Sequence, residues 1–323
     1  MNSEELKRYL KSNRYGFPFF RKQIEDGFFF NSEIRRDIDR RSSDTLVFNR
    51  RVEDVFEIHD SLFEECYNAV ANGEGQEERK IHSLRSSSLL GLLSFYKVHS
   101  GHRIEMDRMI NGNRVSFRLD KVVFEKTNRV FHPSRGLSSI DIALYGTADG
   151  EPCVLYLESK FTEYLEGKDM MKKNKDGKET CPISRKYTEY FRTLLTNFPG
   201  LDYSICEEGI CLFSNDGKSH YCEGIKQMIS HFIGAMNSED LFKGLKVYLG
   251  TILFDFSIYQ NEVDPDGDLI RDYSTLYSEI AKRMNAHTTK NLTVIEEVWT
   301  YQDLFANIGE YELDSLVREY YRL

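Results

Sequence analysis

No run of apolar residues in this chain is long enough to cross a bilayer. The first residues mix Glu, Lys and Arg with Tyr and Phe, so no apolar signal core is expected there. Cysteine is sparse. The six cysteines among 323 residues have no regular spacing and form no CxxC pair, which argues against a disulfide scaffold or a thiol-redox motif. Cys206, Cys211, His220 and Cys222 match no standard zinc knuckle and read instead as reduced cysteines on adjacent strands. A cytoplasmic protein without a membrane partner is the expectation. Basic excess is missing too: the net charge of −9 excludes a general positive coat, though not local patches. The chain has no GxxxxGK[ST] loop, HExxH pair or GxSxG elbow, which removes ATP-driven translocation and serine hydrolysis. Repeats and low-complexity tracts are also lacking.

What is present suffices for a large core, with 40% hydrophobic and 13% aromatic residues. The patterning predicts a helix over Glu77–Lys97, with Ile81, Leu84, Ser88, Leu92, Phe95 and Tyr96 on one face and Glu78 near it. Arg114–Leu119 alternates as a half-buried strand, breaks at Asp120-Lys121 and continues to Val130. An apolar stripe through Ile225, Ile229, Phe232 and Ile233 predicts a helix over Cys222–Met236. The apolar run within Lys246–Tyr259 suits a central strand. A strand at Leu292–Trp299 and helices near Tyr273–Arg283 and Tyr311–Tyr321 complete the outline.

The chemistry sits between these elements. Ser139–Tyr145 and Cys153–Lys160 read as two strands joined across Asp149-Gly150, a strong hairpin signal. With that pair as the turn, Asp141 falls directly opposite Glu158, and Lys160 shares Glu158's face by strand periodicity. Opposed like charges on apolar strands destabilise a sheet. A buried carboxylate needs a partner or a proton. A divalent cation resolves the conflict, and hard oxygen donors suit Mg²⁺ or Mn²⁺. Asp/Glu-x-Lys also recurs in polar surroundings, at Glu5-Lys7 and Asp216-Lys218 for example. Only Glu158-Lys160 ends an apolar strand at hairpin distance from an Asp. The bland alternative is a structural salt bridge between Lys160 and Glu158 or Asp141.

Asp-x(n)-Glu-x-Lys on consecutive strands resembles the PD-(D/E)XK nuclease superfamily over roughly Glu77–Tyr259, although Ile140 stands where that family usually has Pro. The resemblance implies an α/β fold: a mixed central sheet with an αβββαβ restriction-endonuclease-like core flanked by helices. Residues 1–76 would be a helical N-terminal extension, and residues 77–323 the nuclease-like domain with an insertion at about 168–221. It further implies a Mg²⁺-dependent phosphodiester hydrolase acting on DNA, with Asp141, Glu158 and Lys160 catalytic. The metal ligands would be Asp141, Glu158, the main-chain carbonyl of Ser159, and Glu78. Some relatives carry a Gln on the following helix; Gln227 is the match, but its angle opposite the apolar stripe reads as a surface glutamine.

Two basic patches are candidates for phosphate contact: the pairs Arg35-Arg36, Arg40-Arg41 and Arg50-Arg51, and Lys168, Lys172, Lys173, Lys175 and Lys178 beyond the second acid strand. Tyr187, Tyr190 and Phe191 lie among basic residues but read as a partly buried helix. A homodimer is a further expectation from the family. The rival readings are a non-catalytic nucleic-acid- or protein-binding module on the same fold, and a nuclease for RNA.

Overall fold

Asp149 and Gly150 both take positive φ, 51° and 83°, the backbone twist a two-residue hairpin turn demands. They join β3 (Leu137–Ala148) to β4 (Glu151–Lys160). The ladder runs from Ala148↔Glu151 to Ile142↔Leu157, which is the register expected from the sequence. The structure is a computed structural model and describes residues 52–72, 81, 86–100, 102–131, 136–161, 172–173, 179–180, 183–199, 201–207, 209–214, 222–256, 268–309 and 311–323.

In chain order the described elements begin with α1 (Val52–Val55), α2 (Ser61–Ala71) and α3 (Ser87–Phe95). Then come β1 (Ile104–Ile110), β2 (Asn113–Arg129), β3 and β4. The short strands β5 (Lys172–Lys173) and β6 (Glu179–Thr180), α4 (Thr188–Leu195), β7 (Leu201–Cys206) and β8 (Gly209–Ser214) follow. The chain continues through α5 (Cys222–Met236), α6 (Glu239–Phe242), β9 (Lys246–Leu253) and α7 (Asp268–Asn285). Last are β10 (Leu292–Val294), β11 (Trp299–Thr300), α8 (Tyr301–Asn307) and α9 (Ser315–Tyr321). The fold is mixed α/β. A seven-stranded sheet of order β1-β2-β3-β4-β9-β10, with β11 also on β9, is flanked by helices. The strands from β1 to β4 pair antiparallel, whereas β9 runs parallel to β4, and β10 and β11 run parallel to β9.

Several expectations meet small corrections with clear causes. The β2 ladder shifts register between Leu119 and Lys121, at the expected break. Gly146 lies beside it, where a Cβ would collide with the Arg118 carbonyl oxygen, so only glycine allows that approach. Strand β1 is not among the expected elements, although Asn111-Gly112 is a hairpin signal; both residues have positive φ. Within the span expected as one helix, Glu77–Lys97, a helix starts at Ser87 and ends at Phe95. Ser86 is extended, and its hydroxyl accepts from the Leu89 N–H at 3.0 Å, a cap that starts a new helix. Ile81 lies in a turn, and Glu78 lies outside the described residues. Every residue of α3 from Ser88 to Phe95 is buried, so this helix packs inside the core.

The two faces of the sheet carry different helices. Helix α3 packs on β3 and β4, and α5 on β2, β3 and β9. Arg283 of α7 donates to the carbonyls of Leu194 and Thr196 at 2.9 Å each, joining α7 to the end of α4. In α4, Phe191, Leu194 and Leu195 are buried, in keeping with the partly buried helix expected there. Ser204 pairs with Cys211 across β7 and β8, which do form adjacent strands. Among the described residues no helix is long and apolar enough to cross a membrane.

Candidate functional site

The register that pairs Ile142 with Leu157 brings Asp141 and Glu158 to the next position, where the β3–β4 ladder ends. Asp141 leaves the ladder to do something local: its Oδ2 accepts from the Ser159 N–H at 2.8 Å. Beyond it, Glu158 and Lys160 remain paired with β9, opposite Thr251 and Leu253. Both are buried. Strand alternation turns Glu158 and Lys160 toward α5 and turns Ser159 to the reverse face. There the Ser159 hydroxyl donates to the Ser87 carbonyl at 2.9 Å and lies 2.7 Å from the Tyr301 hydroxyl.

Helix α5 supplies the opposite wall. Lys160 Nζ donates to Glu158 Oε1 at 2.7 Å and to Gln227 Oε1 at 2.8 Å. His231 Nε2 stands 2.8 Å from Glu158 Oε2, and its Nδ1 lies 2.5 Å from the Ser138 hydroxyl. Residues four apart share a helix face, so one turn of α5 holds both motif side chains. Gln227 is therefore not the surface glutamine its angle suggested. The apolar stripe was the wrong reference, because the edge of that stripe lies over a polar spot on the sheet. Thr251, Tyr273, Tyr277, Met228 and Leu249 line the cleft beside Glu158 and Lys160.

Charge is unevenly compensated across the two acids. Burial opposes ionisation of Glu158, but the charge of Lys160 and the nearby His231 ring outweigh it and hold this carboxyl well below the ordinary range. Asp141 is moved the other way. Burial, then the negative charge of Glu158, raise it well above the usual range, against smaller opposing effects of Lys160 and the Ser159 N–H. Glu125 adds to that rise. This residue has φ of 49°, lies between Phe124↔Ile142 and Lys126↔Ile140 in the β2–β3 ladder, and accepts from the Ser139 hydroxyl at 2.6 Å. The sequence reading did not single out Glu125, Ser138 or Tyr277. None of the three carries a distinctive local signal; Glu125 is one of several charged residues on β2.

Among the described residues no group of three or more His, Cys, Asp or Glu is gathered closely enough to hold a metal ion. No family model, curated protein or solved structure matches the chain. The site must be read from its own chemistry. Each carboxylate oxygen has two lone pairs, so Glu158 keeps acceptor capacity beyond Lys160 and His231, and Asp141 keeps capacity beyond Ser159. The donor set of Asp141 and Glu158 suits a hard divalent cation. The bland alternative is also visible, because Glu158 and Lys160 do form a buried ion pair.

Proposed function

We propose that the chain is a metal-dependent nuclease of the PD-(D/E)XK superfamily, hydrolysing phosphodiester bonds of DNA. The observation that carries the reading is Asp141: a carboxyl whose charge Lys160 and the Ser159 N–H offset only in part, one register position beyond the ladder end it shares with Glu158. Such a group is costly in a protein that does not use it, and a cation is the simplest thing that would relieve it. The order of elements supports the same reading. Helix α3, the antiparallel strands β2, β3 and β4, helix α5 and the parallel strand β9 follow the αβββαβ order of a restriction-endonuclease-like core.

In this reading Asp141 and Glu158 would hold Mg²⁺ or Mn²⁺, with the Ser159 carbonyl and Glu78 as further donors. The metal would act as a Lewis acid on the phosphate and lower the pKa of a bound water. Lys160, a cation fixed by Glu158 and Gln227, holds and orients the attacking water and balances charge developing on the phosphate. Helix α5 keeps the lysine from swinging away, and the apolar wall of Met228 and Leu249 limits bulk water around it.

A non-catalytic module on the same fold is favoured by one observation, the satisfaction of both Glu158 oxygens within the protein. Calorimetric titration with Mn²⁺ separates the two. Binding by the wild type that is lost in Asp141→Asn, together with cleavage of DNA lost in the same variant, supports the nuclease. No binding by the wild type with DNA present refutes it and leaves the binding module. Parallel assays on RNA decide the substrate class.

A further inference from the structure

The contacts of Glu158 extend past the motif. His231 is buried; its Nε2 lies 2.8 Å from Glu158 Oε2, an ion-pair distance at which the N–H is not aligned as a hydrogen bond, and its Nδ1 lies 2.5 Å from the Ser138 hydroxyl. Ser138 is itself buried near the start of β3, the strand that carries Asp141. The result is a continuous chain of polar contacts from β3 through α5 to β4. Where Ser138 donates to Nδ1, the ring proton sits on Nε2, the nitrogen nearer the carboxylate, so the hydroxyl selects the tautomer and the ring plane. A carboxylate that must meet a cation benefits when one of its edges is fixed in this way, because outer-shell partners orient the ligand and tune its basicity.

The geometry points to His231 as a positioning residue that fixes the carboxylate plane of Glu158 for the cation, with Ser138 fixing His231 in turn. This rests on the metal-site reading above. Gln227 holds the lysine and His231 holds the acid, so one helical turn of α5 sets the two motif side chains relative to each other. A purely structural histidine would need a partner but not this one. It would not be expected to bridge the strand of one candidate ligand to the side chain of the other.

The test is Mn²⁺ titration calorimetry on the full chain, with Tm measured alongside, for the wild type, His231→Ala, His231→Gln and Ser138→Ala. His231→Ala is expected to weaken Mn²⁺ binding by about 10–100-fold. His231→Gln, which can still present an N–H to Glu158, should recover most of that loss, and Ser138→Ala should show a smaller loss in the same direction. A folded His231→Ala that binds Mn²⁺ like the wild type overturns the positioning role and leaves the metal site standing. A His231→Gln as weak as His231→Ala at equal Tm also overturns it. If the His231 variants do not fold, Ser138→Ala decides, and wild-type affinity there overturns the role. A wild type that binds no Mn²⁺ removes the metal reading, and the positioning role with it.

Discussion

Asp141 and Glu158 are chemically alike and adjacent in sequence register, yet removing the charge of the one and the cation of the other should move stability in opposite directions. In metal-free protein above the ordinary carboxylate range, Asp141→Asn removes a charge that burial and Glu158 disfavour. The Asn oxygen still accepts from the Ser159 N–H, so the hydrogen bond is kept. Lys160→Met does the reverse, leaving Glu158 buried without the cation it is paired with, a loss of about 3–5 kcal/mol. With an unfolding entropy of about 2.1 cal/mol/K per residue over 323 residues, that is a fall of about 4–7 °C in Tm. On the same scale each pKa unit removed at Asp141 is worth about 1.4 kcal/mol, a rise of about 2 °C. The pH dependence has a definite sign. Because the folded-state pKa of Asp141 is raised, its contribution to stability is complete below the unfolded pKa and is lost as pH rises through the folded one. The advantage of Asp141→Asn should therefore be absent in acid, grow as pH rises, and then level off. Thermal melts in EDTA across pH measure this directly. Added Mn²⁺ should reverse the ranking, since ligand at 100 times its Kd stabilises by about 2.7 kcal/mol only the protein that binds it. An Asp141→Asn variant less stable than wild type in EDTA at neutral pH refutes the reasoning.

Other consequences can be checked with the same protein. Gln227→Ala removes a hydrogen bond to a charged group, and a loss of about 1.5–3 kcal/mol, or 2–4 °C in Tm, should accompany reduced cleavage. Gly146→Ala forces a Cβ against the Arg118 carbonyl, so a melt should show a loss at or above the top of the usual range of about 1–3 kcal/mol for overpacking. Burial pushes the thiol of Cys66 up to about 11 and that of Cys153 to about 12. Neither should react with iodoacetamide at pH 8 until the protein is denatured, as peptide mapping would reveal. Asp240→Ala takes the acceptor from the hydroxyls of Tyr145 and Tyr156, and about 1–3 kcal/mol per orphaned hydroxyl should appear in denaturant unfolding.

The hairpin was legible because its register is fixed locally, by a turn of Asp149 and Gly150 and by strands whose alternation leaves one consistent pairing. The bounds of α5 followed from an uninterrupted apolar stripe, and the break in β2 from Asp120 and Lys121 in an otherwise alternating run. What failed to show was non-local. The stripe of α5 tells which residues are apolar, not which polar spot of the sheet lies under its edge, so Gln227 read as exposed. Ser138 and His231 are 93 residues apart, and their contact exists only because α5 crosses β3. The start of α3 at Ser87 was missed for a different reason. A serine cap inside a run of serines, at 86 to 88, offers no contrast in the sequence.

The hydroxyl of Ser159, joined to α3 and α8 on the face of β4 away from the cleft, makes that single strand answer to two unrelated neighbourhoods. On the proposed reading, mutational drift around Ser87 or Tyr301 is then not silent for the site, even though neither residue belongs to it. A screen for lost activity should recover hits in that rear layer, and they would be misread as folding defects unless suppressors were sought. Directed evolution could use the same link as a fine adjustment, changing the pitch of Glu158 and Lys160 without altering either side chain.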